Sequence, residues 1–164
     1  MVKKMNKKTI YCANCDKEVN YITREETKTV KVRDRELTVT LTRAFCEECG
    51  EPVLPDLIAK KNDLIVFDEY KRLEGLLTSE EIKKIREKRK LSQRALANLI
   101  NCGEKNIARY ETGAIQDRVF DLLIRLVDND TSYKVLVDRN NQLKAQQTSY
   151  KSIFGSDKKL AKQI

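Results

Sequence analysis

Histidine is absent from all 164 residues. Its absence removes the commonest general base, the Ser/His and Cys/His nucleophile pairs and the HExxH metal site. A clustered acidic metal site and a nucleophile beside a base are also missing, so the chain is expected not to be an enzyme. No stretch approaches the roughly eighteen apolar residues that a spanning helix needs. The start, MVKKMNKK, is basic without the apolar run of a secretory signal. A cytoplasmic protein without a membrane partner is therefore expected. Proline is scarce, and Pro52 and Pro55 stand together at a change of pattern. No internal repeat is found.

Positive charge is abundant. A net charge of +8 and a pI near 9.2 suit a polyanionic partner, either nucleic acid or an anionic surface, and charge alone does not choose between them. The length allows one ordinary domain or two small ones with thin cores, so a metal or a dimer contact would be valuable.

Cysteine carries the first chemical signal. In a reducing compartment the five cysteines are a poor disulfide framework, and four of them form Cys12-Ala-Asn-Cys15 and Cys46-Glu-Glu-Cys49. Each pair can offer two thiolates to one tetrahedral ion. The strand-rich segment between them would bring the pairs together, and Gly50 suits the tight turn that follows the second. We read Cys12, Cys15, Cys46 and Cys49 as ligands of a structural zinc ion. Four thiolates close the coordination sphere, which argues against a catalytic metal. A thioredoxin-like redox pair is the alternative, but it needs a single pair near a βαβ pattern.

The expected fold is α+β: a small four-cysteine zinc-ribbon β domain, then an all-α helix-turn-helix domain and a helical tail. The expected divisions are 1–54 (ribbon), 55–77 (linking helix), 78–128 (helix-turn-helix) and 129–164 (C-terminal helix and basic tail). Thr29–Val32 and Leu37–Leu41 alternate in polarity around Arg33-Asp34-Arg35-Glu36 and predict a hairpin. Helical spacing runs from Asp56 to about Leu73, with Gly75 to end it. Thr78 and Glu81 make a capping box that starts a helix at Ser79. Tyr133, Leu136, Val137, Asn140 and Leu143 form a stripe that suits a dimer interface or packing on the same subunit equally well. The lysine-rich end has the composition of a disordered segment.

Within 78–128 the caps divide four short helices. Ser92 caps the second, Gly103 opens the third and Gly113 closes it. Ala97 permits close helix approach, Asn101 suits a left-handed turn, and Cys102 reads as a small buried hydrophobe, with a redox sensor as the alternative. Between Lys83 and Arg94 lie seven basic residues and one acid, Glu87, a run that can contact phosphate.

Ser92-Gln93, Leu96-Ala97 and Gly103 to Glu111, with Ile107 and Arg109-Tyr110-Glu111, resemble the lambda repressor/Cro-like (Xre) family. That resemblance implies a recognition helix from Glu104 to Thr112 lying in the major groove. It places Glu104, Lys105 and Arg109 toward bases, and Gln93 and Asn106 toward the backbone. With Arg94 these are the candidate DNA-contacting residues. Arg and Lys can donate to guanine O6 and N7; Glu104 would have to accept from a cytosine amine, or else serve as a favourable acid at a helix N-terminus. Adding the ribbon, the linking helix and the run from Arg109 to Asp117, residues 10–128 resemble the MqsA-type (YgiT-like) antitoxin family. That resemblance implies a homodimeric repressor, antitoxin of a type II toxin–antitoxin system. Its helix-turn-helix half would bind a palindromic operator in double-stranded DNA, and its zinc half a cognate toxin. The best-known members have a short C-terminal region, whereas this chain continues past Asp128 to residue 164. A stand-alone Xre-family regulator with a purely structural ribbon is the alternative.

Overall fold

A computed structural model describes residues 9–154, with side chains to residue 150. The expectations for MVKKMNKK and for the lysine-rich end fall outside them. Four strands precede six helices: β1 (Thr9–Cys12), β2 (Lys17–Val32), β3 (Arg35–Cys46), β4 (Pro52–Val53), α1 (Asp56–Leu73), α2 (Ser79–Lys88), α3 (Gln93–Leu99), α4 (Asn106–Glu111), α5 (Arg118–Asp128) and α6 (Asp130–Phe154). The α+β class is as expected. The described chain groups into two compact units, one of residues 9–80 with 109–115 and the other of 81–108 with 116–154.

In the first unit the strands form one antiparallel sheet in the order β1-β2-β3-β4. The long hairpin turns on Arg33 and Asp34 alone, since Val32 already pairs with Arg35 and Lys31 with Glu36. The expected four-residue turn is thus two residues long, with Arg33 at φ 55°. Alternation sets the register. Val30, Val32, Leu37, Val39 and Leu41 share the face that meets Ile65, Val66, Phe67 and Tyr70 of α1, together with Ile115. The other face carries threonine pairs, with Thr27 and Thr40 hydroxyls 3.1 Å apart. A slip of one residue would send the valines to solvent and the threonines inward, so the pairing is strongly specified.

Helix α1 ends where glycine allows it. Gly75 has φ +67°, its N–H reaches the Arg72 carbonyl at 3.1 Å, and the Leu76 N–H reaches that of Lys71 at 2.8 Å. This is the left-handed Schellman ending. Helices α2, α3 and α4 end in the same way, on Lys90 (φ 54°), Asn101 (φ 53°) and Gly113 (φ +120°). At the other end of α3, the Ser92 hydroxyl accepts the Ala95 N–H at 3.1 Å, as expected of a cap.

The second unit buries Ile82, Ile85, Leu96, Ala97, Ile100, Ile107, Ile124 and Val127. Ala97 is wholly inaccessible, in keeping with close helix approach. Arg89 fixes the bend between α5 and α6. It donates to the carbonyls of Val127 (2.8 Å) and Asp128 (2.6 Å), pairs with Asp130 (2.7 Å) and stacks on Tyr133. The first turns of α6 pack on α3 and α5, half-burying Tyr133, Leu136, Val137 and Asn140. From Asn141 to Tyr150 every side chain is exposed, so same-chain packing accounts for only the first part of the stripe.

Candidate metal centre and nucleic-acid interface

Cys12 ends β1 and Cys46 ends β3, so the sheet itself brings the two cysteine pairs together. Each is followed by a tight turn, with Asp16 at φ 52° and Gly50 at φ 75°. In the second turn the Gly50 N–H donates to the Cys46 carbonyl (3.0 Å), and the Cys49 N–H points at Cys46 Sγ (3.5 Å). All four sulphurs lie within 4.8 Å of one another, the Cys12–Cys49 and Cys15–Cys46 contacts being 3.6 and 3.8 Å. A tetrahedral ion with metal–sulphur bonds of about 2.3 Å requires edges of about 3.8 Å. The donor set therefore fits a closed four-thiolate metal site, and no disulfide joins these cysteines. The redox-pair alternative has no support in this geometry.

The electrostatics agree. The Asn14 side chain and the Glu51 backbone hold the Cys49 thiol down at about 6, while Cys15, hydrogen-bonded to Cys49, is pushed up to about 12. Four crowded sulphurs cannot all carry charge unless a cation sits among them. Two knuckle residues that sequence reading passed over add a clasp, since Lys17 and Glu48 pair at 2.7 Å. Cys12, Cys46 and Val19 also form a small core flanked by Ile10 and Val53, so the metal site and the apolar packing of this end are one structure.

The candidate DNA residues fall on α3, α4 and the turn between them. Gln93 and Arg94 open α3, and Arg94 is exposed while Gln93 is half-buried. Helix α4 begins at Asn106 rather than Glu104, so Glu104 and Lys105 sit in the preceding turn, both exposed. The Asn106 side chain folds toward Gly103, and the Asn106 backbone N–H donates to the Gly103 carbonyl at 2.9 Å. Arg109 follows three residues later, exposed and on the same face. Thr112 is a cap outside the helix.

Arg94 and Glu104 meet at 3.1 Å, a pair that the sequence offered only as two opposite charges ten positions apart. Glu104 thus has a local partner. Of the basic run, Arg86 binds the Leu91 carbonyl (3.0 Å), Lys88 pairs with Asp128 (2.6 Å) and Arg89 holds the α5–α6 bend, so these three, like Arg94, are engaged within the chain. Lys83, Lys84, Lys90 and Arg94 are exposed. Cys102 is half-buried rather than buried, and burial pushes its thiol up, which suits an inert side chain.

No helix among the described residues is long and apolar enough to cross a membrane. A search of curated proteins returned no match. The family model described as the antitoxin component of bacterial toxin–antitoxin systems, MqsA, matches residues 10–134, a span running from the first strand through the cysteine quartet into α6. The chain belongs to the MqsA family of antitoxins.

Proposed function

We propose that this antitoxin is a zinc-stabilised, sequence-specific DNA-binding repressor of its own operon that also binds and neutralises a cognate toxin. The family match over residues 10–134 carries the reading. Zinc is the ion that four reduced thiolates at tetrahedral spacing favour. The ion is structural, because the site has no open position, and the protein acts by binding rather than by catalysis. DNA recognition falls to α4 and the turn before it. Lys105 and Arg109 serve as base readers and Asn106 and Gln93 as backbone contacts, while Arg94 and Glu104 are linked to each other. A homodimer is expected, because one short helix reads too few bases and two related by a dyad sit about one DNA turn apart. A cytoplasmic protein is in keeping with a four-thiolate site, since a reducing compartment keeps such thiols available to a metal.

Two arms test this. In the first, the full chain selects duplexes from a random pool, and recovery of a palindrome supports operator binding. In the second, the chain is co-expressed with the product of the adjacent open reading frame. Rescue of growth and a stable complex support the antitoxin role. Palindrome binding without any such complex would leave the stand-alone regulator as the better description.

A further inference from the structure

Lys71, in the last turn of α1, has no solvent exposure at all. Its Nζ lies 3.1 Å from Asp68 Oδ1, 2.8 Å from Ser79 Oγ and 3.2 Å from the carbonyl oxygen of Tyr110. Asp68 Oδ1 in turn accepts the Ser79 backbone N–H at 2.9 Å and the Ser79 hydroxyl at 2.8 Å. The two charges are thus divided between two helix ends. The carboxylate faces the N-terminus of α2 and the ammonium faces the Tyr110 carbonyl near the C-terminus of α4, each the favourable polarity.

A methionine or leucine would fill this space without the penalty of burying an ammonium. What the ammonium supplies is a directional bond to the backbone of α4. That helix has only six residues and cannot hold its own direction, since so short a helix is unstable alone. Gly113 and Ile115 anchor the chain after it, against Leu64, Phe67 and the hairpin core. Lys71 reaches the helix itself, one residue from Arg109.

We propose that Lys71 is a positioning residue for DNA recognition: its bond to the Tyr110 carbonyl sets the angle at which α4 presents Arg109. The proposal rests on the DNA-binding reading above. Asp68→Asn with Lys71→Met tests it, because the Asn oxygen still accepts both Ser79 bonds while both buried charges and the bond to Tyr110 are removed. The double variant of the full chain is expected to fold and keep its affinity for a scrambled duplex. Its preference for the duplex selected by the wild type is expected to fall about tenfold per half-site, the worth of one good base contact. Unchanged preference in a folded variant overturns the proposal.

Should the double variant not fold, Lys71→Gln, whose amide is one bond shorter and can still donate to Asp68 but falls short of the Tyr110 carbonyl, is measured by hydrogen exchange. Amides of 109–115 are expected to exchange several-fold faster while those of β2 and β3 hold, and unchanged protection at 109–115 overturns the proposal. If the wild type selects no sequence, the DNA reading fails. The exchange arm then still decides whether Lys71 restrains α4.

Discussion

Arg109 and the lysines of α2 are all exposed cations, yet they should behave differently on DNA. Arg109 shares a face of α4 with Asn106 and can offer a bidentate fork to a guanine, whereas Lys83 and Lys84 can offer only charge to phosphate. Arg109→Ala is therefore expected to cost about 1–3 kcal/mol at one base position per half-site and to leave scrambled DNA little affected. Lys83→Ala and Lys84→Ala should weaken both DNAs alike, each lowering the salt slope by about one. Titration of both duplexes at several salt concentrations separates the cases, and equal losses for Arg109→Ala would remove it as a reader. Asp130 gives a residue-scale pH test. The hydrogen bond and charge of Arg89 hold its carboxyl below the ordinary 3.8. A lowered folded value means that the pair's stabilisation is full above 3.8 and is lost as pH falls through the folded value. The difference in melting temperature between wild type and Asp130→Asn should accordingly be constant near neutrality and vanish in strong acid.

The endings of α1 to α4 show what an element asks of a single position. Gly75, Asn101 and Gly113 were legible because glycine and asparagine advertise the left-handed backbone, but Lys90 holds the same place at φ 54° without any such signal. Lys90→Gly should raise stability by about 1 kcal/mol by relieving the left-handed strain of a Cβ. Gly113→Ala should lower stability, since φ +120° is strained for any L side chain. Urea unfolding of the two variants reads the opposite signs directly. The hairpin was legible only where apolar residues alternate, at 29–32 and 37–41. Its continuation through Arg24, Glu25 and Glu26 was not, because those residues pair with Arg43, Thr42 and Leu41 through backbone bonds that leave no mark on composition. Helix α4 was placed two residues early for a related reason, since Glu104 and Lys105 are good helix formers that the turn at Gly103 takes for itself.

At the scale of the whole molecule, the thin core beside the cysteines would make a metal held there part of the fold. A strong chelator should render Cys12, Cys15, Cys46 and Cys49 reactive together, with loss of strand signal and release of one zinc ion per chain. Stepwise thiol reactivity in the untreated protein, with no bound metal, would contradict a closed site. The clustered cysteine quartet, the α+β order of elements, the Ser92 cap and the family resemblance were determined by the sequence alone, because each depends on residue type at short spacing or on a repeated pattern. Only the tertiary structure decided that Arg109–Ile115 groups with the sheet and α1. It also decided that Arg86, Lys88 and Arg89 are engaged within the chain, that Arg94 meets Glu104, and that Lys71 is buried on Tyr110. Apart from the Arg86–Leu91 bond, these are meetings of residues ten or more positions apart, and a charged side chain looks the same in a sequence whether it faces water, a phosphate or the end of a helix.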